Sequence, residues 1–544
     1  MTEFSKRDLT NSSFFGGLLL LLCALTFYYF AVLRIDYQKT ALPDLGPYPD
    51  ATEYFAQAKA LSKGGWPSIQ IGYEKLPSRY PPGYPALMLP WLKILPQTLS
   101  VLAPFRTNQT IGLLLLLIVF TFYAYLAMPL TGGFATLLLA TLPGFVSFCR
   151  SSLSDLSASL FVVLAFIFAY LGFKEEHRWK LYLSAVLLGL SVNIRIQWLF
   201  FAPLLLVMAL LPLRGMRWRW FLDCAALPVV FLLAASPVLL LNTIQFHSPF
   251  KTGYDFWVPY FTENHLLFSR HYIPRNAVAL WRETTLQPHG FMVSHIFGTG
   301  TYFVPAFLLL ACTGLFFVPR NWFVGCAFLG GLSYSGAALC FLFSNDARLY
   351  LPILILLVAV AALPVTWAAK NLFAGKRTLI AMTLLILFVT ACLGYPSRSG
   401  FNTSGVNRSQ AWDAVHLPFQ PSESRWFIAQ RAFLEVFGRE PGVVLSDIDP
   451  VYLNAFFPDW IVAAPLDGKH HYRHSRIWRY ARPEALALVK HGLDQRHAVY
   501  ALFVSQKDME ENKARLPPLD GYEWAPAETS TRDLVILKLN PNNG

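Results

Sequence analysis

No GxxxxGK[ST] loop and no GxGxxG fingerprint occurs in this chain, which excludes a P-loop NTPase and a dinucleotide-binding fold. Any energy for chemistry must therefore arrive with the substrate. CxxC pairs are absent as well, so the spacing used by structural zinc or by redox dithiols is missing. All seven cysteines (Cys23, Cys149, Cys224, Cys312, Cys326, Cys340 and Cys392) fall inside or at the edge of hydrophobic runs, and no disulfide framework is implied. Charge is scarce: 14% of residues are Asp, Glu, Lys or Arg, against about 25% in an average soluble domain. There is no internal repeat and no low-complexity tract.

Apolar residues dominate instead. They make up 55% of the 544 residues, with a mean hydropathy of +0.43, which marks a membrane protein. Runs of about 17 to 25 apolar residues, the length a bilayer core demands, recur near 13–33, 110–128, 131–148, 156–172, 180–194, 196–212, 221–242, 300–318, 322–343, 349–369 and 378–395. We expect about eleven spans. The first run follows Lys6 and Arg7 and ends in YYFAVLRID without a small-residue cleavage site, so it reads as a retained anchor rather than a signal peptide.

Lysine and arginine near span ends set orientation. Alternate turns carry Lys174, Arg178 and Lys180, then Arg214, Arg217 and Arg219, then Arg320, then Lys370, Lys376 and Arg377. The opposite turns hold isolated arginines, Arg150, Arg195 and Arg348. The pattern predicts a cytoplasmic N-terminus, and an odd span count then puts the tail outside, in a multi-pass protein of the inner (plasma) membrane. From residue 396 onward, 17 Lys and Arg balance 17 Asp and Glu, so the net charge of +12 belongs to the membrane part. That excess marks topology and not nucleic-acid binding.

The layout expected is a membrane domain over 1–395, with long outer loops at 34–107 and 243–299, and an extracytoplasmic α/β domain over 396–544. In the first loop, ATEYFAQAKALSKGG reads as an amphipathic helix ended by glycines and lying on the membrane surface. The tail runs GVVLS, WIVAAPL, AVYALFVS and DLVILKL read as strands, with helical patterns between them at VYLNAF, RPEALALVKHG and KDMEENKARL.

The residues able to carry chemistry are few. Asp50 opens the string DATEYFAQAKAL; a carboxylate there is placed to take a proton from an attacking hydroxyl, or simply to cap the helix. Asp44 is a weaker competitor. Arg79 and Tyr80 begin RYPPGYP, a rigid turn whose arginine could hold a phosphate or carboxylate. Asp155 in SSLSDLSASL is expected on the same face as Asp50, where it could bind a divalent cation, orient a base, or cap a helix. Arg195 and Arg348 lie at outer span ends and need anionic partners, either a lipid phosphate or Asp155 and Asp346, unless they snorkel. GKHHYRHSRIWRYARPE in the tail suits an anionic surface better than a metal, since no carboxylate or thiol interleaves. The DID at Asp447–Asp449 reads as Asp449 capping a helix that opens on Pro450.

The order of these strings resembles the polytopic GT-C glycosyltransferases that use lipid-linked sugars, the bacterial relatives of protein O-mannosyltransferases and of the lipid A aminoarabinose transferase (glycosyltransferase family 39-like). PDATEYFAQAKAL is similar to that family's first-loop acidic motif, and RYPPGYPALMLP to its proline turn. SDLSASLFVVLAF resembles the segment with a second acidic residue, Asp155, and LGLSVNIRIQWLFFAPLLL the helix pair with an arginine, Arg195, at its bend. LNTIQFHSPFKTGY resembles a junction seen in many relatives, and ARLYLPILIL the late motif that includes Arg348 and Tyr350. VVLSDIDPVYL is similar to the C-terminal α/β region of some members. One departure is DATE in place of a directly paired Asp-Glu, which leaves the role of Glu53 open.

The resemblance implies an α-helical GT-C membrane protein that transfers a sugar from a polyprenyl-phosphate donor in the bilayer to a hydroxyl on a protein, lipid or polysaccharide. It implies Asp50 as the base, inversion at the anomeric carbon, and Glu53, Arg79, Tyr80, Asp155, Arg195, Arg348 and Tyr350 as substrate-binding residues. No cofactor is required, although a divalent cation between Asp50 and Asp155 is compatible with the pattern. The alternatives are a glycan polymerase or ligase with a lipid-diphosphate donor, and a non-enzymatic flippase or transporter. Inverted repeats, common in transporters, are missing here.

Overall fold

Residues 11–34, 50–210, 217–257, 259–284, 313–314, 323–342, 347–372, 440–446, 450–457, 459–466, 485–503, 505–527 and 535–542 are described by a computed structural model. The chain forms two compact units, one of Met1–Ile35, Phe105–Val238 and Leu266–Pro418, the other of Asp36–Pro104, Leu239–His265 and Phe419–Gly544.

The first unit is helical. Among the described residues, Ser13–Leu33, Leu99–Tyr125, Asp155–Lys174 and Ala225–Phe246 are long and apolar enough to cross a membrane, and Pro129–Thr141, Ile196–Leu205 and Leu351–Pro364 are shorter apolar helices. The runs expected at 180–194 and 322–343 form helices Arg178–Val192 and Phe323–Cys340. Two runs are broken by proline. The 131–148 run splits into Pro129–Thr141 and Pro143–Cys149, and the 196–212 run begins as a 3-10 turn, Ile196–Phe201, before Pro203–Leu210. Proline starts a helix readily and cannot continue one. The run at 378–395, and that at 300–318 apart from residues 313–314, lie outside the described residues.

Small residues decide where these helices meet. Helix Asn11–Tyr28 lies against Pro129–Thr141 so closely that a Cβ on Gly17 would come within 2.2 Å of the Pro129 carbonyl oxygen, and one on Gly133 within 2.3 Å of the Gly17 oxygen. Lipid tails are as apolar as leucine, so close backbone approach replaces the hydrophobic drive between membrane helices. Polar side chains complete the joints. Thr131 and Thr366 are hydrogen-bonded at 3.0 Å. The Asn193 amide donates to the Ala234 oxygen at 2.7 Å and accepts from the Val238 nitrogen at 2.9 Å, occupying the backbone rung beside Pro237 in the helix Arg217–Phe246. A broken rung in a membrane helix must be satisfied by a neighbour.

The second unit contains a five-stranded sheet and the helix Asp50–Ser62. The four expected tail strands are present: β3 (Gly442–Ser446), β4 (Ile461–Pro465), β5 (Ala498–Phe503) and β7 (Val535–Pro541). Two further features escape the sequence patterns, the edge strand β6 (Tyr522–Pro526) and the hairpin of β1 (Ile69–Ile71) and β2 (Glu74–Leu76). The sheet order is β4-β3-β5-β7-β6, parallel from β4 to β5 and antiparallel beyond. Helices Pro450–Phe456 and Ala485–Asp494 lie in the β3–β4 and β4–β5 connections, as parallel pairing requires. Pro450 opens its helix as expected, while Asp447–Asp449 are outside the described residues.

The helix expected in the first loop is present as Asp50–Ser62, and it is buried without interruption from Asp50 to Ala58. Phe55 packs against Tyr452 and Phe456 of the tail helix, ring centroids 6.2 and 5.0 Å away. Asn454 ties the hairpin to the sheet, donating to the Gln70 oxygen at 3.0 Å and the Ala463 oxygen at 2.9 Å while accepting from the Ala463 nitrogen at 2.7 Å. Asp459 pairs with Lys63.

Candidate active site

Positions 50, 53 and 57 share one face of a helix, three and seven residues apart. In Asp50–Ser62 that face carries Asp50, Glu53 and Gln57, and all three reach the turn at 77–80. Glu53, 1% exposed, accepts from the Ser78 hydroxyl at 2.8 Å, the Arg79 backbone nitrogen at 2.9 Å and Arg79 Nε at 2.8 Å, and also from Arg79 Nη2. Gln57 donates to the Ser78 hydroxyl at 2.9 Å and the Tyr80 oxygen at 3.3 Å. The Glu53 carboxylate is thus filled by the turn, with the two-pronged geometry that suits arginine and carboxylate.

Asp50 is one helical turn earlier. Its Oδ1 accepts from the Tyr80 hydroxyl, a charge-assisted hydrogen bond. The described helix runs from Asp50 to Ser62, and the Asp50 carboxylate reaches across from it to Tyr80. Burial, and then the negative charge of Asp50, push the Tyr80 hydroxyl well above its ordinary pKa. Tyr80 therefore keeps its proton and remains a donor throughout the neutral range. Tyr54 and Tyr254 lie against the Tyr80 ring at 4.8 and 6.0 Å.

In the first unit the structure pairs Asp155 with Arg195. Helix Arg178–Val192 ends at Asn193, and Arg195 stands extended (φ −145°, ψ 118°) before the next turn, which is the bend read from SVNIRIQ. Arg195 Nη1 is 2.6 Å from Asp155 Oδ1, the side chains 6% and 0% exposed. Ser154, not Asp155, precedes the helix, so capping does not account for the aspartate. A buried charge demands such a partner.

Arg348 and Tyr350 lie in the turn Ala347–Tyr350 that leads into helix Leu351–Leu372, with Tyr350 buried. Asp44, Asp346 and the GKHHYRHSRIWRYARPE string lie outside the described residues. Among the described residues no group of three His, Cys, Asp or Glu could hold a metal ion. Sequence reasoning missed Gln57, Ser78 and Tyr254; for Gln57 the seven-residue spacing from Asp50 was the available signal.

The fold is that of the GT-C membrane glycosyltransferases. The chain is similar to ArnT from Cupriavidus metallidurans bound to undecaprenyl phosphate, with a TM-score of 0.58 and 12% identity over 96% of this chain and 97% of that one. It is similar also to the oligosaccharyltransferase of Archaeoglobus fulgidus in the apo form, TM-score 0.55 and 13% identity, over 97% of this chain and 74% of that one. The same archaeal enzyme, AglB, in complex with an inhibitory peptide and a dolichol-phosphate gives a TM-score of 0.52 at 12% identity, again over 97% and 74%. No protein-family model matches the sequence, and no curated protein matches it. These likenesses bear out the coarser expectation, a polytopic membrane protein of GT-C fold with a sheet-containing C-terminal region, whereas the expected count of about eleven spans is not established, four long apolar helices being present among the described residues.

Proposed function

We propose that this protein is a membrane glycosyltransferase that moves a sugar from a polyprenyl-phosphate donor to an acceptor hydroxyl on the extracytoplasmic face, with Asp50 as the base. The observation that carries the reading is the division of labour on one helix face. Glu53 is filled by the 77–80 turn, while Asp50 is aimed by the Tyr80 hydroxyl. Likeness of fold to proteins solved with undecaprenyl phosphate and dolichol-phosphate supports a lipid-linked donor.

In this reading the acceptor oxygen gives its proton to Asp50 and attacks the anomeric carbon opposite the lipid phosphate. The anomeric C–O bond breaks, its electron pair leaves on the phosphate, and the configuration inverts. The departing charge needs preorganised cations. Arg348 and Arg195 serve here, since a guanidinium has five donors and can hold a carboxylate and a phosphate together. Arg79 acts through Glu53 instead. Asp155 orients Arg195, and Tyr350 is assigned to donor binding by the resemblance alone. A likeness to the archaeal enzyme solved with zinc and sulfate, TM-score 0.50, keeps a divalent cation compatible with the fold. We assign none to the reaction, because a monophosphate leaves readily and Arg195 already supplies the charge beside Asp155. The acceptor is a hydroxyl of a protein, lipid or polysaccharide, and a membrane domain over 1–395 with an extracytoplasmic α/β domain over 396–544 is part of the same proposal.

The test is a panel of radiolabelled polyprenyl-phosphate sugars offered to the purified protein and to Asp50→Asn. Consumption of one donor that falls at least a thousandfold in the variant is expected for loss of a base. Unchanged turnover in Asp50→Asn removes the base assignment, and consumption of a lipid diphosphate glycan alone favours the polymerase or ligase reading.

A further inference from the structure

The SPFKTGYDFW segment has no chemistry of its own, yet it is built against the turn that presents Tyr80. It is set internally first. The Asn242 amide donates to the Pro249 oxygen at 3.2 Å. The Asp255 carboxylate accepts from the Thr252 nitrogen at 2.7 Å and from the Thr252 hydroxyl at 3.1 Å, and that hydroxyl accepts from the Tyr254 nitrogen at 3.2 Å. These bonds place Gly253 at the head of the short helix Gly253–Trp257.

From there the segment touches three successive parts of the turn. The Trp257 indole nitrogen donates to the Pro77 oxygen at 2.8 Å. Gly253 lies on the main chain of Ser78 and Arg79, where a Cβ would come within 2.1 Å of the Ser78 oxygen and 2.4 Å of Arg79 Cα. The Tyr254 ring meets the Tyr80 ring edge-on at 89°. Trp257 is 3% exposed, so its donor bond is sheltered from competition by water. Glu53 and Gln57 hold the turn from one side, and this segment holds it from the other.

We infer that the segment is a brace and that Gly253 and Trp257 are positioning residues, keeping the Tyr80 hydroxyl seated on the Asp50 carboxylate. The inference rests on the reading of Asp50 as base but is testable without it. A hydrogen bond is lost over a displacement of well under 1 Å, and misplacement of about 1 Å can cost a hundredfold in rate. The charged or titratable groups facing the Asp50–Tyr80 pair are Glu53 from the same helix, Arg79 from the turn and Tyr254 from the brace, with the Tyr54 ring beside them.

Trp257→Phe keeps the ring and removes the donor to Pro77; Gly253→Ala forces the turn away. A water-soluble carbodiimide labels protonated carboxyls, and mass spectrometry reads the pH midpoint of labelling at Asp50 with no substrate present. Because a donated hydrogen bond favours the ionised carboxylate, Trp257→Phe and Tyr80→Phe should move that midpoint to higher pH together, and the double variant should move it no further. In turnover, Trp257→Phe should lower kcat about tenfold with KM for the consumed donor nearly unchanged. A wild-type midpoint in Trp257→Phe, or a double variant that shifts by the sum of the two, overturns the inference. A shared midpoint shift together with full turnover in Asp50→Asn leaves the brace standing and removes the base.

Discussion

At the residue scale, two acidic groups three positions apart have opposite tasks because of what the turn offers each. Glu53 meets Arg79 and Ser78, and Asp50 meets the Tyr80 phenol. Breaking a buried ion pair by removing one partner costs about 3–5 kcal/mol, since the other charge is left uncompensated. Glu53→Gln should therefore lower the melting temperature of the detergent-solubilised protein markedly, and a variant as stable as the parent would refute a stabilising Glu53–Arg79 pair. Tyr80→Phe makes a different mark. As the proposed base Asp50 must be ionised to act, and loss of the donated bond disfavours the ionised form. The acid limb of the kcat profile should move to higher pH, with stability nearly kept; an unmoved limb shows that Tyr80 does not tune Asp50.

At the element scale, membrane helices are matched by their smallest residues. Gly133→Leu drives a side chain into the Gly17 backbone, and overpacking costs about 1–3 kcal/mol or more where backbone must shift. The expected outcome is loss of monodisperse protein on size-exclusion chromatography, while leucine at Gly336, where a Cβ meets nothing within 4 Å, should be tolerated. The same scale explains why the 50–62 helix is buried. Its pattern is amphipathic, but a tail helix with Tyr452 and Phe456 covers Phe55, and the 77–80 turn covers the polar face. Strand β6 escaped because YEWAP has half-buried and exposed residues without alternation, and only pairing with β7 makes it a strand.

At the scale of the whole molecule, orientation is the property to measure. Single cysteines placed at Lys513 in the tail and at Lys174 beside a span should differ in reaction with a membrane-impermeant maleimide on intact cells. The expected result is labelling at 513 and protection at 174 until lysis; the reverse pattern would invert the positive-inside reading.

The sequence by itself determined that the chain enters a membrane, that the described apolar runs are largely helical, where four tail strands lie, and that Asp50, Asp155 and Arg195 stand at unusual places. Those follow from local composition and period, which neighbours do not alter. The tertiary structure decided the partners: Glu53 with Arg79, Asp155 with Arg195, Asp50 with Tyr80, and Gly253 with Ser78. Such pairs join residues far apart along the chain, and a charge or a missing side chain states only that a partner or a space is needed, not which one the fold will supply.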